Sequence, residues 1–239
     1  METFFYNEIY NNEKEHWWYS TRRKIVHKLI RKYLPEEKGL KILDVGCGGG
    51  LLSQELHRYG QVVCIDPAEE AINFARARGV NAEKFSIIDY KKEGGFDCVV
   101  ALDVLEHCND DLSAIKNIYN LLKPGGIAII FVPALNCFWG EQDVVSHHKR
   151  RYTAKELLNK FKNAGFKPIT QSYFNFFLSP VIYASRKLRN IIKTSSKSEL
   201  AYNNFILNKI GKIIFGLEYF LIPRIRFPFG VSLLGVYKK

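Results

Sequence analysis

Residues 44–50 read Asp-Val-Gly-Cys-Gly-Gly-Gly directly after the short apolar run Lys41-Ile42-Leu43, and a second apolar run, Val62 to Ile65, ends in Asp66. This pairing constrains the fold more than any other feature. A strand that feeds a glycine-rich turn, followed by a strand closed by an acid, grips a ribose-bearing ligand at the carboxyl edge of a parallel sheet. A pyrophosphate-binding turn needs Gly or Ala at the sixth place of G-x-G-x-x-G, where this chain has Leu51. The glycines fall instead at Gly46, Gly48 and Gly50, where the missing side chains let backbone lie against a ligand. The carboxylate of Asp44 suits a ligand with a cationic amino group.

Period and punctuation give the coarse structure. A helix is expected from Glu13 to Leu34, ending before Pro35, with Trp17, Trp18, Ile25, Val26, Leu29 and Ile30 on its apolar face. Strands are expected at 41–45, 62–65, 84–88, 97–102, 127–132 and 166–173, and helices at 51–59, 69–78, 112–122 and 154–164. Thr153 and Glu156 have the spacing of a capping box. Five cysteines, at 47, 64, 98, 108 and 137, lack C-x-x-C spacing, so neither disulfides nor a metal site is expected. The opening residues show no basic region ahead of a long apolar run, which reads as a cytoplasmic chain.

The D-x-G-x-G-x-G turn resembles motif I of the class I S-adenosylmethionine-dependent methyltransferases, and further blocks follow in that family's order over roughly residues 40–170. The resemblance implies an α/β fold, a Rossmann-like, doubly wound, mostly parallel seven-stranded sheet with an antiparallel last strand. It implies S-adenosyl-L-methionine as cofactor, held by Asp44, Gly46, Cys47, Gly48 and Gly50. Asp66, followed by Pro67, would take the ribose hydroxyls, for which a carboxylate supplies paired acceptors. Asp89 and Tyr90 would lie near the adenine. Phe96 to His107 looks like the fourth strand and the turn beneath the sulfonium, with Leu102 and Asp103 at its tip. Leu121-Leu122-Lys123-Pro124-Gly125-Gly126 matches the corner leading into the fifth strand.

The segment after strand five leaves the cofactor edge and is expected to meet the acceptor. Phe138 and Trp139 could floor a pocket, Arg150 and Arg151 could clamp an anion through their planar forks, and Tyr152 stands beside them. Similar H-x-R-x-Y-like stretches occur in bacterial relatives of the ubiquinone and sugar O-methyltransferases. An imidazole is the side chain best matched to taking a hydroxyl proton near neutral pH. His148 and His147 are the leading base candidates, with His107 third; the alternative is that the histidines structure the loop or bind an anion.

Charge divides the chain. Residues 1–149 hold 18 Lys or Arg against 21 Asp or Glu, and residues 150–239 hold 17 against 3. A basic C-terminal part favours phosphate-bearing or otherwise acidic partners. The division expected is an N-terminal helical segment (1–39), a core (40–173 and 229–239) and a basic, aromatic helical insert (174–228), in which two helices flank a polar linker at 194–198. Its second helix is too interrupted by Glu218 and too soon ended by Pro223 to span a bilayer. It could be a lid over the substrate, lie peripherally on the inner face of the membrane, or pair with another subunit.

These features point to a methyltransferase, O-directed, acting on a small or lipid-linked anionic acceptor. One rival is a nucleic-acid methyltransferase using the basic part to track phosphates. Against it, the turn after strand four reads Ala101-Leu102-Asp103-Val104, unlike the N-P-P-Y turn of amino-directed nucleic-acid enzymes. The other rival is a non-catalytic subunit that keeps the cofactor fold.

Overall fold

A computed structural model of the chain describes residues 3–34, 39–92, 94–192, 205–222 and 224–239. Among them, seven strands build one sheet: β1 (Leu40–Val45), β2 (Gly60–Asp66), β3 (Asn81–Lys84), β4 (Phe96–Leu102), β5 (Leu122–Pro133), β6 (Lys167–Phe174) and β7 (Ser232–Lys238). The order is β3-β2-β1-β4-β5-β7-β6. The first five strands run parallel, and β7 inserts antiparallel between β5 and β6. Strand order reverses between β1 and β4, so the crevice for a ligand opens beyond their carboxyl ends.

A parallel sheet buries both faces, and alternate side chains of each strand serve opposite layers. Leu43, Val45, Val99 and Ala101 face one layer with α5 (Asp111–Leu121) and α7 (Ala154–Asn163). Ile42, Cys98 and Val100 face the other, with α2 (Trp17–Tyr33) and α3 (Leu51–Leu56). Helix α4 (Glu69–Ala77) follows β2 and α6 (Glu141–Val145) follows β5. The capping box at Thr153 and Glu156 starts α7 as its sequence requires.

Two expected elements differ. The helix expected over 13–34 is α2, which starts only at Trp17, where the His16 ring accepts a hydrogen bond from Trp18 N at 3.3 Å, and a separate helix that was not expected, α1 (Thr3–Asn12), precedes it. Strand β3 lies at 81–84, ahead of the expected 84–88. The apolar pair that suggested the later strand sits in a turn, where buried Ile87 and Tyr90 offer carbonyls to Asn117 Nδ2 at 2.5 and 2.8 Å.

The stretch after β6 contains α8 (Ser179–Ile192) and α9 (Phe205–Leu221); the polar linker expected at 194–198 lies outside the described residues. Helix α9 rests on α2. Phe215 packs on Trp17 with ring centroids 4.3 Å apart, and Asn208 Oδ1 accepts from Trp17 N at 2.8 Å. Glu218, which as sequence only interrupts an apolar run, is wholly buried and accepts from Asn175 N at 2.7 Å and Phe177 N at 3.0 Å. Its two bonds fasten α9 to the chain leaving β6.

Candidate active site

Strands β1, β2 and β4 end side by side, with Val45 beside both Ile65 and Ala101. Beyond β1 the chain turns through Gly46, Gly48 and Gly50, all at positive φ. At Gly46 a Cβ would stand 2.6 Å from the Val104 side chain, and at Gly50 it would stand 2.7 Å from the Ala75 backbone in α4. Side chains are thus excluded twice, by backbone conformation and by neighbours. Gly46 N and Cys47 N both donate to Ile65 O, which ties the turn to the end of β2.

Asp66 closes β2 and aims back at this turn. Its carboxylate accepts from Gly48 N at 3.2 Å, Ala68 N at 2.9 Å and, more weakly, the Tyr6 hydroxyl at 3.4 Å. Burial pushes Asp66 above the ordinary carboxyl range, against the opposing pull of the Ala68 and Gly48 amides. Asp44 is buried behind the turn and accepts from Ser53 Oγ at 2.5 Å. Burial lifts its carboxyl to about 7. Asp44, Gly46, Cys47, Gly48, Gly50 and Asp66 therefore form one crevice wall, with Pro67 exposed just past it.

Asp103 follows β4 at φ 56° and accepts from Arg22 Nη1 at 2.5 Å. Arg22 arrives from α2 and is 3 % exposed, its guanidinium 4.9 Å from the Trp18 ring centroid and 5.2 Å from that of Phe131. Its Nε and Nη2 are buried without a hydrogen-bond partner. Donors left unmet at this depth cost free energy unless a ligand's acceptors meet them. Sequence reasoning missed Arg22; the available signal was a cation at helical spacing from Trp18 and Val26, on the apolar face.

The same loop carries Glu106 and His107, and the segment after β5 brings His148 to them. Lys149 N donates to Glu106 O at 2.9 Å, holding the two segments together. The His107 and His148 rings meet edge to face with centroids 4.9 Å apart. Burial, helped by His148, pushes His107 down to about 4 and keeps its ring neutral. His148 Nδ1 lies 2.8 Å from Asp143 Oδ1, while Nε2 lies 3.8 Å from Glu106 Oε1. Glu106 is wholly buried, with both carboxyl oxygens lacking a partner, and burial, then the charge of Asp103, raises its pKa well above the usual value. One ligand atom from each of Glu106, His107 and His148 lies within 4.8 Å of the others.

Several expected roles are redirected by packing. Arg151 is no anion clamp: its guanidinium is buried, donating to Asp143 at 2.8 and 3.0 Å and to the carbonyls of Ala134 and Val231. Asp143 is the hub. Burial pushes its carboxyl up, but the His148 hydrogen bond and the Arg151 charge outweigh that and hold it at about 2. Tyr152 is also buried, its hydroxyl donating to Asp111 at 2.8 Å. Phe138 is buried against Tyr183, so Trp139, 36 % exposed, is the part of that pair that reaches solvent. Arg150 is half-exposed, near Asp111 at 3.3 Å. His147 is exposed at φ 56° and joins the His107–His148 pair through a backbone hydrogen bond to His107, not through its ring. Asp89 is exposed and accepts from Ser86 Oγ, five residues past the end of β3; Tyr90 is buried edge-on to Phe85. Leu102 is half-buried at the end of β4.

Comparison with known proteins identifies the family and the fold. The methyltransferase domain family model matches residues 17–171. The ubiquinone biosynthesis O-methyltransferase of Ruegeria pomeroyi is 35% identical over an alignment of 162 residues that covers 58% of this chain and 64% of that enzyme. The enzyme of the same name from Xanthomonas campestris pv. campestris is 40% identical over 109 residues, 41% of this chain. This chain spans 64% and 44% of the lengths of those two relatives. Among solved structures, the N-methyltransferase NodS from Bradyrhizobium japonicum in complex with S-adenosyl-L-homocysteine superposes with a TM-score of 0.56 at 15% identity, covering 92% of this chain and 87% of that one. The [4+2]-cyclase SpnF superposes with a TM-score of 0.59 at 18% identity, covering 90% and 80%. A cyclase on the same frame shows that the frame does not choose the reaction. The chain belongs to the S-adenosylmethionine-dependent methyltransferases of class I.

Proposed function

We propose that this chain transfers a methyl group from S-adenosylmethionine to a hydroxyl oxygen of a small or lipid-linked acceptor carrying negative charge. The observation that carries the reading is the glycine turn after β1, bonded to Asp66 at the end of β2 and packed on Val104, whose neighbour Asp103 holds Arg22. Asp66 would accept from the ribose hydroxyls, and Asp44 and the two unpartnered donors of Arg22 match a cationic amino group and a carboxylate on one ligand. When bound, the cofactor supplies an electrophilic sulfonium methyl and departs as a neutral thioether. The O-directed choice draws on the ubiquinone O-methyltransferase relatives and on His148. Asp143 accepts from Nδ1–H of His148, which leaves Nε2 free to take the acceptor's hydroxyl proton as the new carbon–oxygen bond forms. Lys149 and Arg150 follow this histidine in the chain and carry positive charge that reaches solvent.

A second reading of the same cluster rests on Glu106. Its unpartnered carboxylate, with His107 and His148, offers three donors to a divalent cation that would lower the pKa of a bound hydroxyl. Methyl release from labelled cofactor to a panel of hydroxyl acceptors bearing a carboxylate or phosphate, measured with and without a chelator, tests both. Transfer that survives chelation supports His148 as base, transfer lost on chelation and restored by a divalent ion supports the cation, and no transfer to any hydroxyl acceptor rejects the O-directed reading.

The buried carboxyl of Asp44 makes a further expectation. A cation placed against a carboxyl that titrates at about 7 stabilises its charged form, so binding should expel a proton. At about pH 6.5, where a free α-amino group is already charged, calorimetry in two buffers of different ionisation enthalpy should report net proton release. Equal heats in the two buffers would detach Asp44 from the amino group.

A further inference from the structure

The face of α9 turned away from α2 is apolar and open. Ile210, Ile213, Leu217 and Phe220 recur at spacings of three and four residues and are 47 %, 66 %, 52 % and 67 % exposed. Such spacing lines them along one stripe of the helix. The opposite face is already engaged: Gly211 lies against Trp17, Phe215 and Ile222 join the cluster under the sheet, and Glu218 is bonded to the backbone beyond β6. The helix therefore cannot roll to hide the stripe without surrendering its anchor. Four adjacent large apolar side chains held in water mark a contact surface.

The charge around the stripe identifies the occupant. Lys209 and Lys212 lie beside it on α9, and Arg224 and Arg226 are exposed just past the helix end. The sole acid of α9 is Glu218, which is wholly buried; the acid that approaches the rim is Glu15, 3.3 Å from Lys212. An apolar stripe flanked by cations matches the boundary of an anionic bilayer, where acyl chains take the first and headgroups the second. Among the described residues no helix is long and apolar enough to cross a membrane, so contact of this kind would be parallel to the surface. Pairing of two copies through α9 would bring cations against cations, because the one acid of this helix is buried.

We propose that the Ile210–Phe220 face of α9 docks this protein on an anionic membrane surface, independently of the acceptor it methylates. The test is flotation of the full-length chain with phosphatidylcholine vesicles, with and without phosphatidylglycerol. The intact protein should float with the anionic vesicles, weakly or not at all with the neutral ones, and less as salt rises. Ile213→Asp with Phe220→Asp should cut flotation by about tenfold or more, and Lys209→Glu with Lys212→Glu should reduce it as well. All four side chains are exposed, so the melting temperature and cofactor affinity should stay at the parent values. Failure of the intact protein to float would overturn the proposal, as would apolar-face variants that float like the parent. Light scattering that shows a dimer broken to monomer by the Ile213 and Phe220 changes, with flotation unaltered, would assign the face to self-association.

Discussion

Replacement of His148 by glutamine is expected to slow methyl transfer by roughly 10²–10⁴-fold, the usual worth of a positioned proton acceptor, with cofactor affinity unchanged. Glutamine keeps a donor for Asp143 but offers no basic nitrogen at the place of Nε2. The same change at His147, whose side chain is exposed and whose tie to His107 runs through the backbone, should leave turnover within a few-fold of the parent. Single-turnover rates for both variants beside cofactor titrations separate chemistry from binding. Equal losses at the two positions would remove the assignment of His148 as the base.

The largest loss of stability is expected at Asp143, not at a core hydrophobe. Its carboxylate receives Arg151 through two bonds and His148 through one, and Arg186 lies 3.7 Å away. Asp143→Ala would leave the buried guanidinium of Arg151 uncompensated, which costs roughly 3–5 kcal/mol. Denaturant unfolding of the variant measures this directly; a loss under about 1 kcal/mol, the scale of an exposed pair, would show that the hub is dispensable. The pH dependence has a defined sign. Asp143 is held at about 2, below the ordinary value near 3.9. A depressed carboxyl stabilises the fold fully above its unfolded pKa, and that contribution drains away as pH falls from about 4 through 2. The parent should therefore lose roughly 2–3 kcal/mol over that window that the variant does not lose.

The hub also explains what the sequence could and could not disclose. The β1 turn and the acid of β2 were legible because glycine spacing and strand ends are local signals, and Asp44 to Asp66 meet at neighbouring strand termini. Arg151 was not, because the partner that buries it lies on α6, a five-residue helix with little periodicity to announce it. Sequence saw a pair of adjacent cations, and packing split them into a buried tie and a half-exposed residue. Strand β3 was misplaced because Ile87 and Ile88 are apolar for a different reason, the packing of a turn on α5. Arg22 escaped notice because a cation on an apolar helix face looks like noise until Asp103 and two aromatic rings are found around it. The sequence marked both histidines as candidates, but which ring is set against other titratable groups required the backbone: His148 turns in toward Asp143 and Glu106, and His147 is exposed.

Titration calorimetry of the full chain with S-adenosyl-L-methionine, parent against Asp66→Ala, tests the central claim most directly. The account predicts one site per chain for the parent, weakened in the variant by about 1–3 kcal/mol through loss of charge-assisted hydrogen bonds to the ribose. Absence of binding to the parent, or identical affinity for parent and variant, would contradict it.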